Sequence, residues 1–472
     1  LARPGAMQFV DQFANYTNND VYEAIHPFFD DILGSTGGVC LYQEQMMKMA
    51  HKVGFTLDEA EILRRIVGKK KVKEVRKWKK KIKDKIAENN LEKEIGDILW
   101  QVLEDSANYS FNKSHSISYA SLAAITTFLK FKHPKEFFLA LLRMTRFEPD
   151  PIAEISKIAR ELPKFNIKLL GPNLLRSEMD FSIEGDNLRF GLTSIKGISD
   201  KSIEKLENFK NKYSNKFEVF QGAGEAGLGI GILSALIQAG ALEGEFKHSR
   251  SYIVAEAQLW NLLTPREKAK AFDLAEEKES DLMEIIKFLN KDLKDEKGRA
   301  FIKDSRIATI RRNFEPYKQI FKKNKQNQDF ANWYYENALL GYTHGKCLRE
   351  VSSEYGHLRS MEECLSRNEG ASVNFIGTVE DAYTSKSKKG TPYLRLQVQD
   401  ETGVCKVMLF TQKNRDNIEI CRQANGGELP DKKSIVIVKG TKKEGDTVFA
   451  NLIRAQDQKI FMKLSEIKNL TS

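Results

Sequence analysis

The chain has 472 residues, 41% of them hydrophobic and 30% charged, with 11 prolines and 30 glycines; this excludes collagen-like and disordered classes and leaves room for about three domains. No run approaches the roughly 18 apolar residues that cross a bilayer, Arg3, Pro4 and Gly5 stand where a signal peptide would place its apolar core, and the cysteines (Cys40, Cys347, Cys364, Cys405, Cys421) are too scattered for a disulfide framework, so the expectation is a cytoplasmic protein with no membrane partner. The net charge of +10 is concentrated, because residues 64–85 carry 13 basic side chains against Glu74 and Asp84, and a patch of that kind attracts nucleic acid or nucleoside triphosphates, although a solvated helix face would read the same way.

Residues 20–146 read as helical. Thr56 and Glu59 form a capping box ahead of Leu57, Ile62, Leu63 and Ile66, with Gly68 at the expected stop. Val72, Val75, Trp78 or Lys79, Ile82 and Ile86 recur at helical spacing, so one face is apolar and lysines fan over the other. Another helix is expected over 91–103, then a polar interruption at 108–116, then a helix through Ile117, Ala120, Ala124 and Phe128, and one more opening at Pro134. A hairpin is expected around Gly185, Asp186 and Asn187. Residues 192–206 read as helix, turn, helix about Lys196, Gly197, Ile198 and Ser199, with a second such unit over 234–242 ending at Gly240. Residues 249–341 are helical and charged without a motif. Five strands, 373–381, 393–400, 404–410, 434–441 and 447–454, predict a small closed barrel of the OB type.

The segment Tyr109-Ser110-Phe111-Asn112-Lys113-Ser114-His115-Ser116 offers ammonium, hydroxyl and imidazole donors just before a helix N-terminus, the arrangement that holds phosphate oxygens. A plain helix cap would have the same composition. Several decoys are set aside. Gly222 to Gly227 matches a dinucleotide fingerprint without its strand-helix-strand context. His344, Cys347, His357 and Cys364 are irregularly spaced for zinc. Asp30 and Asp31 fit a helix flank.

Leu1-Ala2-Arg3-Pro4-Gly5-Ala6-Met7, Leu41-Tyr42-Gln43-Glu44-Gln45-Met46-Met47, Leu63-Arg64-Arg65-Ile66-Val67-Gly68-Lys69-Lys70 and Phe111-Asn112-Lys113-Ser114-His115 resemble, in order and spacing, the fingers of the bacterial DNA polymerase III alpha subunit, a C-family polymerase. The likeness continues through the turn at Gly197, similar to that family's helix-hairpin-helix region, and from Lys388-Lys389-Gly390 to Phe410, similar to its OB domain. The resemblance implies that Arg64, Arg65, Lys69, Lys70, Lys113, Ser114 and His115 contact the incoming deoxynucleoside triphosphate. It implies DNA contact by the hairpin at Lys196, Gly197 and Lys201, where Ser199 replaces the second glycine of the usual pattern and would be strained at a positive φ. Tyr393, Arg395, Lys406, Phe410 and Lys439 are the residue types that hold single-stranded DNA on such a barrel, with Tyr393 and Phe410 either stacking bases or belonging to the core.

Family members hold two magnesium ions on carboxylates of a palm domain upstream of the Arg-Pro-Gly motif. The chain opens on Leu1 at that motif, so it is expected to be a fragment or half of a split gene, with no catalytic residue or metal ligand of its own, Mg2+ held by the missing palm-containing N-terminal part, and no activity alone. Expected domains are fingers at 1–148, a helix-hairpin-helix region of the clamp-binding type at 149–248, a helical insertion and connector at 249–370, an OB-fold nucleic-acid-binding domain at 371–460 and a tail at 461–472. The expected fold is multidomain and mainly α with a C-terminal five-stranded barrel. The expected function is a share in replicative DNA-directed DNA synthesis, with primer-template DNA, dNTPs, the sliding clamp and other replisome subunits as partners; Gln326-Asn327-Gln328-Asp329-Phe330 faintly resembles the family's clamp-binding peptide. The alternative is a noncatalytic DNA-binding or replisome accessory protein.

Overall fold

The computed structural model describes residues 7–68, 72–106, 111–242, 248–275, 281–294, 296–353, 356–387, 390–411 and 416–455. Lys69, Lys70, Lys388, Lys389, Tyr109, Ser110, the Arg-Pro-Gly motif and the 461–472 tail lie outside these residues. The chain divides into two compact units, 1–132 and 133–472.

The first unit is helical: α1 (Val10–Asn19), α2 (Asp30–Leu33), α3 (Gln43–Lys52), α4 (Leu57–Gly68), α5 (Val72–Glu88), α6 (Lys93–Ser106) and α7 (Lys113–Lys132). The capping box at α4 forms as its sequence demands, with Glu59 Oε2 accepting from the Thr56 N–H at 3.1 Å and Thr56 Oγ1 from the Glu59 N–H at 3.2 Å. On α5, Trp78, Ile82 and Ile86 turn inward to meet Phe55, Leu63, Ile95 and Leu99, and Lys79 stays outside. α7 is different. Its apolar side chains are spread over several faces between serines and threonines, it buries no residue, and Ile117, Tyr119, Leu122, Ile125, Phe128 and Phe131 are all more than half exposed.

The second unit opens with α8 (Pro134–Met144) and α9 (Pro151–Glu161). The sequence reading put α8 with the fingers, but its Phe138 and Leu142 bury in the core of this second unit. The small sheet β1 (Leu169–Leu170), β2 (Ser182–Glu184) and β3 (Asn187–Arg189) follows, with β3 central and the expected hairpin between β2 and β3. Then come α10 (Ile203–Phe209), α11 (Lys216–Glu225), α12 (Ile230–Gln238), α13 (Arg250–Asn261), α14 (Pro265–Ala275), α15 (Leu282–Lys291), α16 (Asp304–Gln326), α17 (Gln328–Leu340), α18 (Leu348–Val351) and α19 (Met361–Leu365). The helices after residue 249 share one core with the hairpin region: Trp260 on α13 packs its ring 6.1 Å from Phe217 and 5.9 Å from Phe220 on α11. A buried ion pair, Lys216 with Glu256, ties α11 to α13.

The barrel closes in the order β4-β5-β6-β8-β7, from β4 (Ser372–Lys386), β5 (Pro392–Gln399), β6 (Val404–Phe410), β7 (Ile435–Lys442) and β8 (Thr447–Ala455), with α20 (Asn417–Ala424) between β6 and β7. All pairings are antiparallel except β6 with β8. The strands alternate as barrel walls must: Leu394, Leu396 and Val398 on β5 and Cys405, Val407 and Leu409 on β6 point inward. Outward-facing Ile435 and Ile437 pack instead on Trp333 and Phe330 of α17, fastening the barrel to the helical layer. Five strands were expected and five are present, though β4 runs further and α20 has no counterpart in the sequence reading.

Candidate nucleotide and nucleic-acid interface

In the first unit three segments converge. Phe111 pairs in parallel with Tyr42, its N–H donating to Leu41 O at 3.1 Å and its carbonyl accepting from the Gln43 N–H at 3.0 Å, and this sets the start of α7 beside the start of α3. Lys113, Ser114 and His115, expected in a loop, are the first turn of α7. Asn112 caps that turn: its Oδ1 accepts from the His115 N–H at 2.9 Å and from Ser114 Oγ at 2.5 Å. A second acceptor stands on the helix axis, since both Glu44 carboxylate oxygens accept from the Lys113 N–H, at 3.0 and 2.9 Å. Lys113 Nζ lies 5.5 Å from the Tyr42 ring centroid, and the His115 ring sits 5.2 Å from Phe111 and 4.6 Å from Tyr119.

Arg64, on α4, adds a guanidinium to this unit. Its guanidinium is held by Glu61, Nε to Oε2 at 2.7 Å and Nη2 to Oε1 at 2.8 Å, and it also feels the charge of Glu44, both of which raise its pKa. Arg65 shares Glu61 through one bond of 2.7 Å but leaves its side chain 66% exposed. Hydrogen bonding from Arg64, with Arg65 helping and partial burial opposing, lowers the Glu61 carboxyl to about 2. The cluster therefore presents one exposed guanidinium, one ammonium and a helix N-terminus, with Glu44 as the carboxylate on that terminus. The sequence reading took Glu44 only as part of a family motif and did not single out Glu61; their roles as a helix-end acceptor and as the partner of Arg64 and Arg65 come from the structure.

In the second unit the hairpin at Gly197 differs from expectation. A single 3-10 turn, Leu192–Ser194, precedes it in place of a helix, and another, Asp200–Ser202, leads into α10. Gly197 takes φ +90° with open space around its α-carbon, while Ser199 is extended at φ −127°, so the strain anticipated for serine does not arise. Lys196, Gly197 and Lys201 are exposed, and the Lys196 N–H donates to Leu339 O at 3.0 Å, anchoring the turn on α17. The second hairpin lies at α11, turn, α12, earlier than the expected 234–242. Its turn, Gly227-Leu228-Gly229, has φ +68° at Gly227. Gly240 instead ends α12, and Gly222 and Gly224 are α11 residues with no strand before them.

On the barrel, register assembles a row across four strands: Tyr383 on β4 opposes Arg395 on β5, which opposes Met408 on β6, which opposes Phe449 on β8. Tyr393 and Phe410 form the next pair, rings 5.5 Å apart, and Phe410 lies 5.0 Å from Phe449. All of these point away from the barrel core, which answers the question over Phe410. Tyr383 and Phe449 are 39% and 38% exposed. Arg395 lies over the Tyr383 ring at 5.1 Å, and Lys443 over Phe449 at 5.5 Å. Lys406 is exposed on the same face of β6, whereas Lys439 lies on β7 opposite Asn374 and Leu452, outside the aromatic row. Cross-strand register, invisible in the sequence, is what adds Tyr383, Phe449 and Lys443.

Asp30 and Asp31 are each engaged by a neighbouring side chain. Asp30 accepts from the Tyr22 hydroxyl at 2.6 Å, and Lys52, at 2.6 Å, keeps Asp31 below its ordinary pKa. Among the described residues one group of potential ligands gathers, His26, Glu92 and Glu94, but His26 Nδ1 already accepts from the Phe28 N–H at 3.1 Å as a helix cap. The irregular His and Cys set is dispersed, with Cys364 in the barrel core and His344 bonded to Ala239 O at 3.0 Å. Segment 326–330 does not form an accessible peptide, because Phe330 is 3% exposed and packs with Trp333. No described helix is long and apolar enough to cross a membrane.

A helical unit with a cationic helix N-terminus, glycine hairpins and an OB-type barrel with an aromatic face define a nucleic-acid-handling protein. Residues 1–90 match the bacterial DNA polymerase III alpha subunit finger domain, and 166–252 match a helix-hairpin-helix motif. The chain is 27% identical over 424 residues to the DNA polymerase III subunit alpha of Thermus aquaticus, covering 87% of this chain and 32% of the relative. It is 31% identical over 247 residues to that of Halalkalibacterium halodurans (52% and 22%) and 33% over 254 residues to that of Saccharopolyspora erythraea (52% and 21%). The chain thus spans about a third or less of these curated relatives. The chain is thus similar to DNA polymerase III alpha subunits over its finger-domain and helix-hairpin-helix residues and, against the Thermus aquaticus relative, over most of its length.

Proposed function

We propose that this chain grips the incoming deoxynucleoside triphosphate and holds primer-template DNA within a replicative DNA-directed DNA polymerase. The observation that carries the reading is the placement of Lys113, Ser114 and His115 in the first turn of α7, set beside the start of α3 by the Tyr42–Phe111 pairing. Phosphoryl transfer needs positioning and charge neutralisation more than covalent help; Arg65 and Lys113 supply charge of that kind, and Ser114 Oγ and the α7 amides, held by Asn112 and Glu44, exchange those acceptors for phosphate oxygens in this reading. His115, between Phe111 and Tyr119 with tilted rings, orders the turn; Lys69 and Lys70 are assigned to the same role. The hairpins hold duplex backbone through Lys196, Gly197 and Lys201, and the barrel face holds single strand.

Mg2+ in this reading is held outside these residues, in a palm-type domain. The exposed Ile117, Tyr119, Leu122, Ile125, Phe128 and Phe131 of α7 support such a partner, since large apolar side chains gathered on one element are normally covered. Contacts with a sliding clamp and other replisome subunits, and a cytoplasmic setting, belong to the same reading. The domain division proposed is fingers, hairpin region with its packed helices, and barrel. A noncatalytic accessory role is not favoured, as the relatives named above are polymerase subunits.

The test is dATP binding to the chain and to Arg65→Ala with Lys113→Ala. Affinity is expected to fall by at least tenfold, and unchanged affinity would sink the assignment. Primer extension by the chain alone with Mg2+ is expected to yield no product, and robust synthesis would overturn the external-palm reading.

A further inference from the structure

A groove of about 340 Å3 runs between α5 and α6, within the first unit and apart from the cluster around Glu44. Ile82, Ile86 and Trp100 form its floor. Its rim carries Lys79 and Lys83 from α5 and Lys93 from α6, against a single carboxylate, Asp97. The sequence explains the shape. Trp78, Ile82 and Ile86 turn α5 inward, so its lysines are left on the flanks and the outer face. Gly96 lets α6 close on α5, since a Cβ there would meet Ile86 Cγ1 at 2.9 Å.

Lys79 Nζ lies 5.2 Å from the Trp100 ring centroid. Lys85 is matched by Glu88 at 2.9 Å, but among the described residues no carboxylate pairs with Lys77, Lys79, Lys80, Lys83 or Lys93. Unmatched ammonium groups around an apolar floor complement a ligand with phosphates and a flat apolar part. The groove's volume lies at the low end of the roughly 300–1,000 Å3 of small-ligand sites, enough for one nucleotide and too little for a base pair. None of the groove's lining residues belongs to the triphosphate cluster of Arg64, Arg65 and Lys113. Exposed Lys77 and Lys80 extend the charge beyond the groove, which a mononucleotide would leave unused.

We propose that the α5–α6 groove holds one unpaired nucleotide of a DNA strand, its base against Ile82, Ile86 and Trp100 and its flanking phosphates on Lys79, Lys83 and Lys93, with the strand continuing over Lys77 and Lys80. This goes beyond the triphosphate site and shares no residue with it.

The experiment uses the full chain with a short single-stranded oligonucleotide, the same sequence as duplex, and dATP. Lysine acetylation read by mass spectrometry is expected to show Lys79, Lys83 and Lys93 protected by the single strand, and not by duplex or dATP. Fluorescence anisotropy is expected to show Lys79→Gln, Lys83→Gln and Lys93→Gln together weakening single-strand binding by tenfold or more and flattening its logarithmic salt dependence by about 2, as expected for three lost phosphate contacts. Ala87→Trp, at an exposed position lining the groove, is expected to weaken binding several-fold with the salt dependence kept. Acetylation of the three lysines at unchanged rates, equal protection by duplex or dATP, or unchanged affinity in the triple variant would each overturn the proposal. Loss of dATP affinity only in the Arg65 and Lys113 variant keeps this outcome separate from that of the triphosphate reading.

Discussion

Glu44→Gln tests the electrostatics of the finger cluster most directly. Both Glu44 oxygens lie within 3.0 Å of the Lys113 nitrogen, so the carboxylate satisfies one orphan donor of α7 and meets the positive end of its dipole. Glutamine keeps one acceptor and removes the charge, which should lower stability by about 0.3–1 kcal/mol, the usual worth of a charge at a helix end. The same charge opposes any phosphate arriving at that turn. At about 4 Å in a solvated setting the repulsion is about 1 kcal/mol, so its removal should tighten dATP binding roughly fivefold. Calorimetric titration with dATP and a thermal melt read the two effects separately. Tighter nucleotide binding with slightly lower stability is the expected pairing; dATP affinity unchanged or weaker in Glu44→Gln would refute the placement of phosphate at α7.

Acid unfolding should report Glu61. Its folded pKa of about 2 lies below the ordinary glutamate value of 4.5, so its pairing with Arg64 and Arg65 stabilises the fold above pH 4.5 and is lost as pH falls toward 2; Glu61→Gln should flatten that part of a stability profile, and an identical profile would argue against the pairing. Lys216→Met strands the buried Glu256, whose pKa burial already raises against the pull of Lys216, and should cost about 3–5 kcal/mol by denaturant titration, with Glu256→Leu added in the same chain recovering much of it. Gly197→Ala has room for its methyl but not the right φ, and a loss of about 1–2 kcal/mol is expected in the same assay. Phe449→Ala should weaken oligo-dT binding by about 1–3 kcal/mol if a base stacks there, as measured by fluorescence quenching.

Local structure was largely legible from residue order. The α4 capping box, the inward phase of α5 and the five barrel strands each follow from interactions between residues a few positions apart, and the resemblance of the fingers motifs needed only their order. The turn preceding α7 was placed one turn late because Asn112, a side-chain cap, competes with the polar composition that suggests a loop. The second glycine hairpin was misplaced because glycine within α11 and glycine in its turn look alike until φ is known.

Tertiary structure decided the remainder. That Glu44 would cap α7 depends on α3 and α7 starting side by side, a pairing of residues about seventy positions apart. Membership of Tyr383, Phe449 and Lys443 in the barrel's aromatic row depends on strand register, and the groove beside Trp100 depends on how closely Gly96 lets two helices approach. Short-range periodicity states which face of an element is apolar; which polar groups are then brought together across elements is set by packing, where distances of a few ångströms separate a site from a solvated surface.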